Sequence, residues 1–400
     1  MTMKNYAYNL YLEINNTNLI FFVGENNEDN NLKIFNKFSV PIEGIENNKI
    51  INFEKAFNLI KQNILIIEKK FNFTFKEIIL ILENFNPTFI NLSGYKKLNG
   101  SQILRENITY ILNILKSLVN EVETKKKILH IFNSKFILDK KIIDNLPIGL
   151  FGDFYSHELS FALINTNDFK NFKNIFDKCN IKIKKILLKS FIEGANICDK
   201  KKESGNFFYL KLNKENSKVF YFENNSLKFE QNFKFGTNII VKDISKITSL
   251  KPDSVMEIIK NVDLNEELLE DDLIENSYLI NEPNKKIKKK LIYEIIKARL
   301  KEISMITIFK NINFHHNHLV TKNIYLEINS QIQSNCLDKI YLKIFSFNGD
   351  TSNTFLQNVS DESLMTTANK LVHFGWKKEA IPLSNERKSI VARFFDALFG

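Results

Sequence analysis

YAYNLYLEINNTNLIFFV, residues 6–23, sets two runs of aromatic and β-branched residues on either side of the polar tetrad Asn15, Asn16, Thr17 and Asn18. Such side chains suit a pleated surface and Asn and Thr bond to turn backbone, so two short strands closed by a turn are expected. The arrangement returns later. NFFYLKLNKENSKVFYFENNSLKFEQNFKFG, residues 206–236, alternates strand-like runs with the polar turns NKENS and ENNS. A chain with two hairpin-led halves is therefore expected.

After the first hairpin, FEKAFNLIKQNILIIEKKF has helical spacing, KEIILILE reads as a buried strand, and SQILRENITYILNILKSLVNEV is a second amphipathic helix. Residues 41–125 thus read as one compact α+β unit. KKILHIFNSKFILD returns to a strand pattern, and DFKNFKNIFDKCNIKIKKILLKSF gives helix then strand. The acidic DLNEELLEDDLIENS and the basic NKKIKKK that follows it are opposite-sign blocks, read as exposed, solvated surface.

A chain of 400 residues that is 44% hydrophobic can build more than one core. No stretch approaches the roughly 18 apolar residues of a spanning helix, and MTMKNYAYNLYLEINN lacks a signal peptide's apolar centre, so a cytosolic body is expected. Cys179, Cys198 and Cys336 show no CxxC or metal spacing and read as ordinary buried thiols. His315, His316 and His318 have no acidic or cysteine company, so no metal is expected there. The net charge of +10 suits anionic partners, yet lysines spread among abundant Asn and Ile are what a low-GC coding bias yields. Without an RNP, zinc-finger or helix-turn-helix signature, nucleic acid is not an expected partner.

Several segments resemble, in order, the actin-like bacterial cell-division family FtsA. VPIEGIENNKIINFEKAFNLIKQNILIIEKKFN is similar to the stretch opening that family's inserted subdomain. FILDKKIIDNLPIGLFGDFYSHE keeps Leu138, Asp139, Pro147, Gly149 and Gly152 of a Leu-Asp, Pro-x-Gly-x-x-Gly segment. FKFGTNIIVKDISKI keeps Gly236, Ile240, Asp243 and Ile244 of a Gly-Gly-x-x-Ile-Thr-x-Asp-Ile element, and IIKARLKEI keeps Arg299 and Glu302 of another helix. The resemblance implies an α/β, actin-like fold of two ribonuclease-H-like halves. It places the first half at 1–40 and 126–200, an SHS2-like insert at 41–125, the second half at 201–248 and 312–385 with a small subdomain at 249–311, and an amphipathic tail at 386–400. It also implies ATP with Mg, self-association into an actin-like polymer, and a site on the cytoplasmic face of the cell membrane at the division septum, where such a protein tethers the tubulin-like FtsZ.

The implied nucleotide elements are degraded. Phosphate-wrapping turns need glycine because a Cβ holds the phosphate away from backbone N–H groups. The first turn has Glu13 at the acidic position and Asn15 for glycine, followed by Asn16, Thr17 and Asn18. The second puts Lys211 where an aspartate is implied, and Asn213, Lys214 and Glu215 where glycines are. The adenosine loop reads LEINSQI, with Glu327, Ile328 and Asn329 on glycine positions and Ser330 kept, so its side chains are expected to fill the purine slot. What remains of a nucleotide site is Glu13, Asn15 to Asn18, Asn213, Gly236, Arg299, Glu302, Asn329 and Ser330. Weak binding of ATP and Mg or none is expected, with no catalytic residue.

The last residues, SIVARFFDALFG, place Ile390, Val391, Phe394, Phe395, Leu398 and Phe399 on one helical face, opposite Arg393. That face reads as an anchor on an anionic membrane surface or, alternatively, as a helix docked on the protein's own core. For the FtsZ C-terminal peptide, Lys285, Lys286, Lys288, Lys289, Lys290 and Lys297 are candidate contacts. Two other readings stay open: an adaptor of the PilM group from type IV pilus assembly, and an ATPase or kinase on the same fold.

Overall fold

The computed structural model describes residues 8–27, 32–46, 49–83, 85–200, 205–265, 267–280, 282, 285–314, 323–329 and 335–380. The calls on His315, His316, His318, Ser330 and the tail from Ile390 to Phe399 lie outside them. The chain forms two units, one from residues up to Phe89 and from Ile164 to Trp376, the other from Ile90 to Leu163 with the segment from Lys377.

The first unit opens with β1 (Tyr8–Ile14), β2 (Asn18–Asn26) and β3 (Leu32–Pro41), then the small ribbon β4 (Ile45–Glu46) and β5 (Lys49–Ile50), α1 (Phe53–Phe71) and β6 (Glu77–Leu82). The Asn15 side-chain oxygen closes the first turn by accepting from the N–H groups of Thr17 (2.9 Å) and Asn18 (2.7 Å). α1 follows its apolar period: Ala56, Ile60, Ile64 and Ile67 are buried, Asn52 caps its start, and Asn72 ends it in the left-handed region at φ 48°.

Between β6 and the rest of this unit the chain builds β7 (Thr88–Lys97), α2 (Arg105–Val122), β8 (Lys126–Leu138), β9 (Lys141–Ile143) and β10 (Phe154–Asn165). It then returns with α3 (Thr166–Lys178), β11 (Lys182–Leu188) and α4 (Lys189–Lys200). The first sheet has the order β11-β6-β1-β2-β3, antiparallel across its hairpin strands and parallel from β1 to β6 to β11.

The second half repeats this plan. β12 (Phe207–Asn213), β13 (Ser217–Glu223) and β14 (Ser226–Phe233) pair antiparallel. After α5 (Asn238–Thr248), α6 (Pro252–Asn261) and α7 (Lys289–Ser304) come β15 (Asn323–Asn329), α8 (Asn335–Ile344), β16 (Thr354–Leu356) and α9 (Asp361–His373). β15 and β16 extend the sheet in parallel, giving the order β14-β13-β12-β15-β16. One core joins Leu210 and Val219 of the sheet to Val255, Ile258, Ile292 and Ile296, so residues 249–311 share the second sheet's core.

In the second unit β7, β10, β8 and β9 make a sheet that buries Ile131, Phe136 and Leu159 with Ile111, Leu115 and Val119 of α2. Ala380 joins that core, and its N–H donates to the Ile131 carbonyl (2.7 Å). The second unit thus spans 90–163 and takes in Lys377 to Ala380, while the described residues of 41–89 lie in the first unit. The cause is β6, whose apolar run is claimed on both sides by β1 and β11. It holds α1 with the first sheet.

Within this unit His157 is buried against Phe136, ring centroids 4.9 Å apart, and both its ring nitrogens are without a hydrogen-bond partner among the described residues. Burial, helped by the Lys378 cation, brings its pKa down to about 4. The depressed value means that the unfolded chain binds more protons below its own pKa of about 6.5. Stability is thus expected to be lost as pH falls from about 6.5 towards 4, by up to about 3 kcal/mol. H157F is expected to raise stability at pH 7 by about 1–2 kcal/mol and to remove that acid slope. Urea unfolding at pH 7 and pH 4.5 checks both; a variant less stable than the parent at both pH values would contradict this.

Candidate functional site

Lys211 interrupts the apolar run of β12 and is 8% exposed. A buried ammonium requires carboxylates. Its Nζ lies 3.3 Å from Glu193, 3.3 Å from Glu327 and 3.5 Å from Glu83. Each carboxylate is brought by a different element. Glu327 is the register partner of Lys211 on the parallel neighbour β15. Glu83 follows the end of β6, where its N–H donates to the Ile14 carbonyl (3.0 Å). Glu193 lies on α4, one turn beyond Lys189.

Lys189 is the second cation of the network, with Nζ 2.6 Å from Glu13 and 3.3 Å from Glu83. Glu83 thus bridges both lysines. On the flank, Lys218 of β13 pairs with Glu230 of β14 at 3.1 Å, and the Ser190 hydroxyl donates to Glu230. The Tyr209 hydroxyl donates to Glu327. Both halves of the first unit contribute: Glu13, Glu83, Lys189 and Glu193 from the first, Lys211, Lys218, Glu230 and Glu327 from the second.

Burial would raise the Glu83 carboxyl, but Lys189 and Lys211 outweigh it and hold it down at about 2. Glu13 and Glu193 go the other way, raised by burial despite their lysine neighbours. Burial works against the charged form of Lys211, yet Glu193, Glu83 and Glu327 hold its pKa well above the usual lysine value. Three ammonium groups face five carboxylates across the cluster.

The residues expected to hold nucleotide have mostly taken other work. Glu13 is 5% exposed and committed to Lys189. Asn15, Thr17 and Asn18 bond to one another within their turn, beside exposed Asn16. Asn213 closes the second turn, where its N–H donates to the Asn216 carbonyl (2.9 Å) and its own carbonyl accepts from Thr237 (2.9 Å). A Cβ on Gly236 would stand 2.2 Å from the Asn213 oxygen, so glycine is required there by backbone approach. Arg299 pairs with Asp243 and with Glu302.

Glu327, Ile328 and Asn329 were expected in a loop that fills a purine slot. They are strand instead: β15 runs through Asn329 in register with β12, Ile328 is buried, and Glu327 reaches Lys211. Sequence reading missed Glu83, Lys189 and Glu193. Lys211 inside FFYLKL was the available signal, because a cation at a strand's apolar position calls for buried carboxylates.

The lysine run expected to meet a peptide is paired internally. Lys285 binds Glu282 at 2.7 Å, Lys288 lies 3.6 Å from Asp271, and Lys290 pairs with Glu270. Two ion pairs, Lys288 with Asp271 and Lys290 with Glu270, join the acidic and basic blocks, whose paired side chains remain exposed as expected. Lys286 is exposed, and the Lys289 N–H donates to the Asp272 carbonyl (2.8 Å). Lys297 instead lines a groove of about 570 Å³ with Lys339, Lys343, Tyr293, Ile340 and Ile344. Among the described residues no carboxylate, His and Cys group has metal-holding geometry, and Cys179 and Cys198 are half-buried thiols.

Two sheets of one plan, each a hairpin-led antiparallel trio extended by parallel strands, define an actin-like α/β chain. Among solved structures it is similar to the PilM-PilN type IV pilus biogenesis complex, with a TM-score of 0.51 at 10% identity over 92% of this chain and 97% of that one. In sequence it is similar to cell division protein FtsA of Buchnera aphidicola subsp. Acyrthosiphon pisum, 20% identical over 247 residues, 62% of this chain and 59% of that protein. FtsA of Neisseria meningitidis serogroup B is 18% identical over 294 residues, 73% of this chain and 70% of that one. No family model matches. The chain spans about three fifths of the length of the Buchnera relatives it matches. It is FtsA-like, divergent, and on the actin-like fold.

Proposed function

We propose that this chain is a division-site adaptor that has exchanged nucleotide for a built-in ionic clasp, and that it tethers FtsZ to the inner face of the cytoplasmic membrane while associating with copies of itself. The observation that carries the reading is Lys211, buried among Glu83, Glu193 and Glu327 where the resemblance implies a metal-organising carboxylate. A cation there opposes Mg binding, and the charge network spans the two halves that ATP would otherwise bridge. Catalysis by an ATPase or kinase needs carboxylates free to position metal, and these are engaged. The likeness to FtsA supports the division role. The likeness to PilM concerns the fold alone.

For the partner peptide, the groove beside α7 is lined by apolar Tyr293, Ile340 and Ile344, by the cations Lys297, Lys339 and Lys343, and by the carboxylates Asp263 and Glu267. Its three lysines outnumber its two carboxylates, which suits a short acidic peptide with apolar anchors. K297E combined with K343E is expected to weaken binding of the FtsZ C-terminal peptide at least about tenfold, with unchanged thermal stability. Fluorescence anisotropy with a labelled peptide measures this. Equal affinity in parent and variant would remove the groove as the site.

A further inference from the structure

α2 buries Ile111, Leu112, Leu115 and Val119 but also carries a second apolar row. Tyr110, Ile114, Leu118 and Val122 follow one another four residues apart and are 51%, 40%, 45% and 78% exposed. Residues at that spacing form one ridge, here about 18 Å long at 1.5 Å per residue. A contiguous apolar ridge of this size on a soluble surface marks a contact site.

The path of the chain names what covers it. Lys377 to Ala380 runs antiparallel to β8: Phe132 pairs with Glu379, the Asn133 N–H donates to the Lys378 carbonyl (2.6 Å), and the Ala380 N–H donates to Ile131. The chain at Ala380 is thus heading towards Lys126, whose N–H donates to Glu123 just past the end of α2 (2.9 Å). That is where Val122 stands. Residues 381–389 reach up to about 30 Å when extended. Residues 390–400 form a helix of roughly 16 Å if their apolar period is followed, close to the length of the ridge. Glu121 is exposed at the entry end, opposite in sign to Arg387 and Lys388.

We propose that residues 390–399 fold back onto the Tyr110–Val122 ridge of α2 in the absence of lipid, so that the free protein covers its own anchor and a membrane must compete for it. The competition with lipid rests on the anchoring reading; the docking does not. Release of the tail then becomes a control point on recruitment, because the apolar face is available to a bilayer only in the undocked fraction.

The test is thiol labelling of L118C in the full chain with C179S, C198S and C336S, compared with the same protein ending at residue 389 and with F395D. Without vesicles the full chain is expected to label about fivefold more slowly than either, the protection of a site covered some four-fifths of the time. Hydrogen exchange of the α2 amides in the unaltered sequence, with and without residues 390–400, reads the same contact. Vesicles containing phosphatidylglycerol are expected to restore fast labelling. Equal labelling and exchange in full and shortened chains would overturn the proposal. So would protection that survives the shortening and grows with protein concentration, which would make α2 a contact between copies. Protection without any co-sedimentation on vesicles would sustain the docking and overturn the anchoring reading instead.

Discussion

Replacing Lys211 with methionine is expected to lower the unfolding free energy by about 3–5 kcal/mol at pH 8, the usual consequence of leaving buried carboxylates without their cation. For a unit of this size that is a fall in melting temperature on the order of 10 °C. Glu193, Glu327 and Glu83 all face Lys211 within 3.5 Å, so their like charges oppose one another once it is gone. The pH dependence follows from the same geometry. Deprived of the ammonium, the Glu193 carboxyl, already raised by burial, loses the cation that opposed the rise, and a group raised on folding stabilises at low pH and loses that contribution as pH climbs. The deficit of K211M relative to the parent is therefore expected to shrink between pH 8 and pH 5. Differential scanning calorimetry at both values decides. A variant that melts with the parent at pH 8 would show that the lysine holds nothing together.

Removal of residues 390–400 is expected to abolish co-sedimentation with vesicles rich in phosphatidylglycerol while moving the melting temperature by no more than about 2 °C, a difference of under 1 kcal/mol for a chain this long. Eleven residues in a helix would span roughly 16 Å, about half a bilayer core, so the expected contact is along the surface and not across it. Among the described residues no helix is long and apolar enough to cross a membrane either. Six apolar side chains, Ile390 to Phe399, supply the hydrophobic part, and Arg387, Lys388 and Arg393 each add about 1 kcal/mol near an anionic surface. Ordering the tail would offset much of this, so one tail is expected to bind reversibly and an assembly of many tails firmly. Raised salt should weaken the parent's binding, because the basic share is screened. Undiminished sedimentation of the shortened chain would place the membrane contact elsewhere.

Hairpins and helices were legible because their signals are local. The turn tetrad Asn15 to Asn18 separates β1 from β2 as expected, and α1 coincides with the quoted run from Phe53 to Phe71. The boundary between the two units was not legible, because it depends on β6 pairing in parallel with β1 and with the distant β11. Short apolar runs carry no mark of their partner. The site was half legible: the resemblance marked Lys211 as a cation at an implied aspartate position, but Glu83, Lys189 and Glu193 look like ordinary polar ends of their elements until the fold gathers them. Glu327 was misread for the same reason, since YLEIN suits a strand as well as a loop entry until Lys211 is seen opposite it.

Thermal unfolding of the full chain titrated with Mg·ATP tests the exchange of nucleotide for the ionic clasp most directly. A ligand that binds only the folded state stabilises by RT ln(1 + [L]/Kd), about 2.7 kcal/mol at a hundredfold excess over Kd. With Lys211 and Lys189 holding the carboxylates, the melting temperature is expected to stay constant up to millimolar Mg·ATP. A saturable rise of several degrees that requires both Mg and ATP would contradict the clasp and restore a nucleotide to the cleft.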